Sequence, residues 1–380
     1  MQPLHKHPGV TAPWIRRLAA LLILLIALVT SGFGPPPGAN PTPADSERLT
    51  QGELATLRAS SVPMLTARSA LLMDTGTGRV LWGKKPDQRL PIASTTKLMT
   101  ALLAADLAES EEVATVYPRD LVLGSTVSLR EGERMTIEQL LYGALMQSGN
   151  DAAVTIADHV GREHLGGVGD DGIQTFVDAM NARARKMGLK NTQFKNPNGF
   201  DEPGQYSTAR DLAILGREVL ADSLLAGIVA TAQYRLTGYI PIGRERSPVY
   251  HPVRTTNELL RSYRGANGLK TGTTPQAGEA LVASVRRGDA SLIAVMLGAT
   301  DRFADARMLF DWGFDRYEWL PVTPYMFDAP VGATALQPSV FAAVEKWNTD
   351  LTLFNARAGA SRYWLGTEPL DIPSVEAVSP

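Results

Sequence analysis

The chain has 380 residues, with 37 lysines and arginines against 39 aspartates and glutamates. That near balance gives no basic excess for a nucleic-acid partner. It has no cysteine, which excludes disulfides, a thiol nucleophile, thiolate metal centres and a lipidated cysteine. The length allows a large core in one to three domains.

Lys6, Arg16 and Arg17 precede the apolar run Leu18 to Val29, and no acidic residue occurs before Asp45. The run is short for a membrane span of about 20 residues. Residues 1–31 therefore read as a secretory signal, cut after Ser31 or Gly32, with an uncleaved anchor as the alternative. The protein is expected to be exported, to the periplasm or the cell-wall side. Residues 32–62 include "FGPPPGANPTPADS", a composition that cannot pack, and read as a linker. Ala67 to Met73 and Arg79 to Gly83 then read as two strands around a glycine-rich turn, Asp74 to Gly78.

Residues 91–261 read as mainly helical. The apolar spacing predicts helices over 94–106, Thr136 to Gln147, Asn150 to Val160, Gly172 to Met187 and Thr208 to Val219, the last capped by Ser207. Asn196 to Tyr206 is an irregular loop of turn formers. Strands return with "LKTGTT", "GEALVASVRR" and "ASLIAVMLGA", and a helix over 301–314 closes the pattern, with Asp301 near its start. Strands at both ends of a helical middle predict an α+β fold. Residues 63–90 and 262–318 form an antiparallel sheet flanked by helices, with a mainly helical domain inserted over 91–261. Residues 319–380 form a short appendix of unknown fold, in which Asp328 to Gln337 and Leu351 to Asn355 suggest strands.

Three short stretches carry chemistry. In "PIASTTKLMTALLAAD", Ser94 and Lys97 stand three residues apart, so on a helix they share a face. The plain reading makes Ser94 a helix cap and Lys97 a first-turn surface residue. A lysine there opposes the helix dipole, however, and its flanks are apolar. Desolvation lowers a lysine's proton affinity, and a neutral Lys97 could take the proton of Ser94.

Ser148-Gly149-Asn150 lies between two predicted helices. It reads either as a cap or as a proton relay (Ser148) beside a residue that binds a carbonyl or positions a lysine (Asn150). Lys270-Thr271-Gly272-Thr273 reads either as a solvated edge strand or as a ligand-binding one. In the second reading Lys270 takes an anion, Gly272 allows close approach and the Thr273 N–H donates to an oxyanion.

The order Ser94-x-x-Lys97, Ser148-Gly149-Asn150, Lys270-Thr271-Gly272 is the three-part signature of penicillin-binding serine enzymes. With "FKNPNGF", "YSTARDLA" and "LIAVMLGATDR", it makes the chain resemble the low-molecular-mass D-alanyl-D-alanine carboxypeptidases of peptidase family S11, over roughly residues 64 to 318. These are related to class A β-lactamases. The resemblance implies a β-lactamase/DD-peptidase-like fold. It implies a catalytic set of Ser94, Lys97, Ser148 and Lys270, with an oxyanion hole at the backbone N–H groups of Ser94 and Thr273. It implies substrate contacts from Asn150, Lys270, Thr271, Gly272 and Thr273. The implied partners are peptidoglycan stem peptides, with β-lactam antibiotics as covalent inhibitors and peripheral association with membrane or wall.

Three rival readings accompany it. A peptidoglycan endopeptidase would use nearly the same site. A class A-like β-lactamase would need an added glutamate, for which the comparable loop offers only Asp201 and Glu202. A silent wall-binding protein would be expected to lack a key residue, and all are present. Gln205 stands where many members of the family have histidine, in a loop read as structural. The C-terminal end lacks a basic amphipathic face for a membrane anchor. No cofactor or metal is expected. His5 and His7 fall in the signal, and His159, His164 and His251 lie outside the motifs. His159 and His164, five apart, are poorly spaced for a metal pair on one helix face.

Overall fold

The computed structural model describes residues 63–322, 340–346, 363–365 and 368–370. The signal, the linker and the two strands suggested at Asp328 to Gln337 and Leu351 to Asn355 lie outside the described residues. The main sheet has five strands: β1 (Ser69–Asp74), β2 (Val80–Lys84), β7 (Ala266–Thr274), β8 (Gly278–Arg287) and β9 (Ala290–Ala299). Their order is β2-β1-β9-β8-β7 and every pairing is antiparallel. The first strand of the chain thus pairs with the last strand of the sheet, which closes the fold around everything between them.

β8 and β9 are apolar along their length because both sheet faces are covered. Alternate residues enter two separate cores. Val282, Ile293 and Val295 join the core shared with the helices of the chain's middle, including Leu212 and Leu215 of the helix over residues 209–221. Leu281, Ala283, Leu292 and Ala294 join the other core, with Ala306, Leu309 and Phe310 of the closing helix.

Between β2 and β7 the chain forms α1 (Lys97–Leu107), α2 (Ile137–Met146), α3 (Asn150–Glu163), α4 (Gly172–Lys186), α5 (Ala209–Ala221), α6 (Ser223–Val229) and α7 (Leu259–Ser262). α8 (Arg302–Arg316) follows β9, and the Asp301 carboxylate caps it at Ala304 N–H, 2.9 Å. Thr136 caps α2.

The cap of α5 differs from expectation. Thr208, not Ser207, accepts from Asp211 N–H. The Ser207 backbone bridges to Leu90, and its hydroxyl bonds Thr192.

The mainly helical reading of 91–261 also missed a sheet. β3 (Val113–Thr115), β4 (Arg134–Thr136), β5 (Gln233–Ile242) and β6 (Glu245–Arg254) form it in that order. In β6, Val249, His251 and Val253 are buried at every second position. The prolines at 248 and 252 hide this strand in the sequence. β6 is an edge strand, where a missing N–H costs no ladder bond.

β10 (Tyr317–Val322) runs across residue 319, where the appendix was expected to begin, and pairs with β11 (Val340–Glu345). Both dock on the β1–β2 turn. Trp319 Nε1 donates to Asp74 Oδ1 at 2.9 Å, and Ala343 N–H donates to Asp74 Oδ2 at 3.3 Å. β12 (Tyr363–Leu365) and β13 (Glu368–Leu370) form a separate pair.

Asp305, buried in α8, accepts from Thr66 N–H (2.9 Å), Thr66 Oγ1 (2.9 Å) and Ala67 N–H (2.8 Å). Asp305→Ala removes all three bonds and leaves the buried Ala67 N–H without its partner, while the exposed Thr66 donors can turn to water. It is expected to cost about 2–4 kcal/mol of stability, read as a lower urea midpoint at unchanged slope. A loss under about 0.5 kcal/mol would mean that this carboxylate does not hold the first strand.

Candidate active site

Ser94 does not cap a helix. It lies in a 3₁₀ turn, Ala93–Thr96, and α1 begins only at Lys97. The neighbouring threonines build the turn: Thr95 Oγ1 donates to Ile92 C=O (2.6 Å) and Thr96 Oγ1 to Ala93 C=O (2.9 Å). α1 is buried on nearly all sides, from Lys97 to Ala104. A lysine at its first position therefore cannot reach solvent, and Lys97 is 0% exposed.

Three oxygen atoms fix the position of Lys97 Nζ. Nζ lies 2.9 Å from Ser94 Oγ, 2.8 Å from Asn150 Oδ1 and 2.5 Å from the Asn198 carbonyl. None of the three carries a charge. Burial, and then the nearby Lys270, push the Lys97 proton affinity well below the ordinary lysine value, while Asp151 opposes the shift. A neutral amine with its lone pair within reach of a serine hydroxyl is a competent proton acceptor. Asn150 is held in turn, its Nδ2 donating to Leu123 C=O at 2.9 Å.

Ser148 occupies the turn between α2 and α3. It is buried, with φ +66°. Lys97 Nζ bonds Ser94, Asn150 and Asn198, and Lys270 Nζ bonds the Thr271 carbonyl, rather than the Ser148 hydroxyl. The segment is tied to β7 by Thr256, which the sequence reading missed. Thr256 N–H donates to Met146 C=O (3.0 Å), and its hydroxyl pairs with Thr271 Oγ1 (2.6 Å). The Thr271 hydroxyl is thus already partnered inside the protein.

β7 reaches the serine through Gly272. A Cβ there would lie 2.9 Å from both Ala93 Cβ and Ser94 N, so any larger residue would push the strand off the Ser94 turn. Lys270 is 1% exposed, and its Nζ donates to Thr271 C=O at 2.9 Å. Burial first, then the Arg302 guanidinium, push it down to about 7. Arg302 is a second residue the sequence reading missed. Its Nη1 donates to Gly272 C=O (2.9 Å) and Thr273 Oγ1 (2.7 Å), and Thr273 itself is exposed. A cation directly after an apolar strand, in "LGATDR", was the available signal.

The loop from Asn196 to Tyr206 supplies the Asn198 carbonyl. Gln205 shapes this loop: its Oε1 accepts from Lys195 N–H (2.9 Å) and Asn196 N–H (3.2 Å), and its Nε2 donates to Phe200 C=O (2.7 Å). Asp201 ties the loop to the end of β7 through Thr274 Oγ1 (2.6 Å) and Gln276 N–H (3.2 Å). A cavity of about 620 Å³ beside α4 is lined by Asn181, Arg185 and Tyr206, and by none of Ser94, Lys97, Ser148 and Lys270. The Ser94 turn lies against the β7 edge instead, at Gly272.

A buried lysine of low proton affinity couples stability to pH. Between about 7 and the ordinary 10.5 of Lys270, the unfolded chain carries a proton that the folded chain does not. Stability therefore rises with pH across that window, by up to about 1.4 kcal/mol per unit, and this contribution is lost as pH falls through 7. Lys97 acts in the same direction. Urea unfolding at pH 7.5 and 9 is expected to show the rise in the wild type and a smaller one in Lys270→Met. An identical slope in both proteins would show that Lys270 is charged in the fold.

An antiparallel sheet backed by helices, with a serine–lysine turn packed against its edge strand, defines the DD-peptidase fold of penicillin-binding proteins. The Streptomyces K15 DD-transpeptidase matches the chain with a TM-score of 0.62 at 32% identity, over 67% of this chain and 99% of that one. A penicillin-binding protein homologue from Mycobacterium tuberculosis matches with a TM-score of 0.59 at 30% identity, over 73% and 99%.

The family model for D-alanyl-D-alanine carboxypeptidase, peptidase family S11, matches residues 56–301. The chain belongs to that family. D-alanyl-D-alanine carboxypeptidase DacF of Bacillus subtilis is 36% identical over 67% of this chain and 64% of its own length. DacC of Escherichia coli is 34% identical over 78% and 70%.

Proposed function

We propose that the protein removes the terminal D-alanine from peptidoglycan stem pentapeptides through an acyl-enzyme at Ser94. The observation that carries this reading is the buried Lys97, bonded to Ser94 and given only neutral acceptors. Ser94 Oγ attacks the carbonyl between the last two D-alanines, and its proton passes to Lys97 Nζ. The backbone N–H groups of Ser94 and Thr273 receive the oxyanion. The C–N bond breaks, and the amine leaves as D-alanine with a proton delivered through Ser148. Water then cleaves the ester, returning the hydroxyl to Ser94 and releasing the shortened peptide as a carboxylate.

Lys270, Thr271 and Thr273, with Arg302 bonded beside them, are the receptors of the terminal carboxylate in this reading. Its charge offsets the desolvation of Lys270 and draws a proton onto that amine. β-Lactams are covalent inhibitors under this reading, since they acylate the same hydroxyl. Residues 1–31, read as a secretory signal or an uncleaved anchor, support export, with action on the outer side of the cytoplasmic membrane. The engagement of Asp201 with Thr274 and Gln276 argues against a lactamase, because that carboxylate is committed to holding the loop.

Purified protein is to be given monomeric pentapeptide muropeptides and cross-linked dimers together. Faster release of D-alanine from monomers is expected. Faster loss of dimers would make the protein an endopeptidase, and rapid turnover of penicillin instead of a lasting adduct would make it a lactamase.

A further inference from the structure

Away from the serine, the end of α3 and the start of β3 bring together Glu112, His159 and His164. The spacing of the two histidines argued against this, because residues five apart diverge around a helix. The helix does not last that long. α3 ends at Glu163, and His164 lies beyond it as the cap residue. Its ring returns to the same carboxylate that His159 faces. His159 Nε2 lies 2.6 Å from Glu112 Oε1, and His164 Nε2 lies 2.9 and 3.0 Å from Glu112 Oε1 and Oε2. One ligand atom from each residue falls within 4.8 Å of the other two. His159 is buried, Glu112 half-buried and His164 exposed.

We propose that these three side chains form a zinc site that pins β3 to the end of α3. Two imidazoles and one carboxylate are the donors zinc prefers, whereas magnesium and calcium seek oxygen alone. Bonds of about 2.0–2.2 Å to a tetrahedral ion set donors about 3.4 Å apart. The carboxylate therefore withdraws by about 0.5–0.8 Å to admit the ion. Glu112 is placed to do so. It stands before β3 in a turn closed by its own N–H on Glu109 C=O. A pocket of about 320 Å³, lined by Glu112 and His159 with Thr115, Tyr117, Arg162 and Glu163, borders the cluster and gives an ion a way in. Arg162, which also lines this pocket, is already paired: it bonds Asp158 at 3.1 Å and Glu163 at 3.3 Å and lies over the Tyr117 ring. α3 begins at Asn150, which holds Lys97, so the ion fixes the far end of the helix that supports the candidate active site.

The test is calorimetric titration of Zn²⁺ into the metal-stripped full chain, with thermal unfolding alongside. His5 and His7 offer a second imidazole pair, so the background carries His5→Gln and His7→Gln. One equivalent is expected to bind in that background. At zinc about 100 times the dissociation constant, Tm should rise by about 5 °C or more. His164→Gln and Glu112→Gln are each expected to weaken binding at least 10-fold and to remove the Tm rise. His164 is exposed, so its replacement keeps the fold, which circular dichroism and penicillin labelling check separately from the metal. No binding in the His5→Gln/His7→Gln background would overturn the site and leave an ion-pair cluster only. Unchanged binding in a folded His164→Gln protein would overturn it equally.

Discussion

Lys97→Arg is expected to slow acylation by labelled penicillin at least about 100-fold, the low end of the loss when a positioned base is removed. Arginine keeps a positive charge near the same place but holds its proton at any working pH, so it cannot accept one from Ser94. The wild-type site lacks the means to keep a cation: Nζ is buried, its three acceptors are neutral and Lys270 lies close by. Lys97→Ala is the companion variant, since it removes the amine without forcing a larger group into a closed space. It should be slowed as much. Ser94→Ala should form no adduct at all while keeping the fold. A time course of labelling on proteins checked by circular dichroism decides the matter. Near-normal labelling of folded Lys97→Arg would show that no neutral amine is required and that the proton goes elsewhere.

Gly199→Ala is expected to lower the acylation rate at least about 10-fold and stability by about 1–3 kcal/mol. Gly199 has φ +88°, and a Cβ there would sit 2.1 Å from the Ala93 carbonyl oxygen and 2.8 Å from Ser94 N. Neither atom is the far end of a flexible side chain. The loop must move, and it carries the Asn198 carbonyl that Lys97 bonds. Gly132 is the control. It also has positive φ, +75°, but a Cβ there would meet nothing within 4 Å. Gly132→Ala should lose about 1 kcal/mol and leave labelling unchanged. Equal activity losses in the two variants would mean that backbone strain, not the approach to Ser94, limits the Gly199 variant.

Much of this protein is legible from local patterns. The strands at 269–274, 278–287 and 290–299 and the closing helix announce themselves because each carries its own period or apolar run and its own cap. The Ser94–Lys97 pair does so as well, since three residues fix two side chains on one face whatever surrounds them. β6 escaped notice because Pro248 and Pro252 are tolerable only on an edge, and an edge is a property of the sheet. The Ser207 cap was misread for a similar reason: its backbone and hydroxyl were already committed to Leu90 and Thr192, far away in sequence.

The chain by itself determined which residue types stand ready for acyl transfer and in what order. The tertiary structure decided their state. Only the packing of α1 on all sides removes water from Lys97. Only the approach of β7 through Gly272 brings Lys270 and Arg302 to the serine turn, and only the loop held by Gln205 turns a backbone carbonyl, which no residue letter encodes, toward the lysine. The same holds for Glu112, His159 and His164, whose spacing forbids a shared helix face until the helix stops one residue short of the second histidine. Periodicity and side-chain chemistry act over a few residues, whereas desolvation, charge pairing and backbone acceptors depend on what the fold brings within about 3 Å.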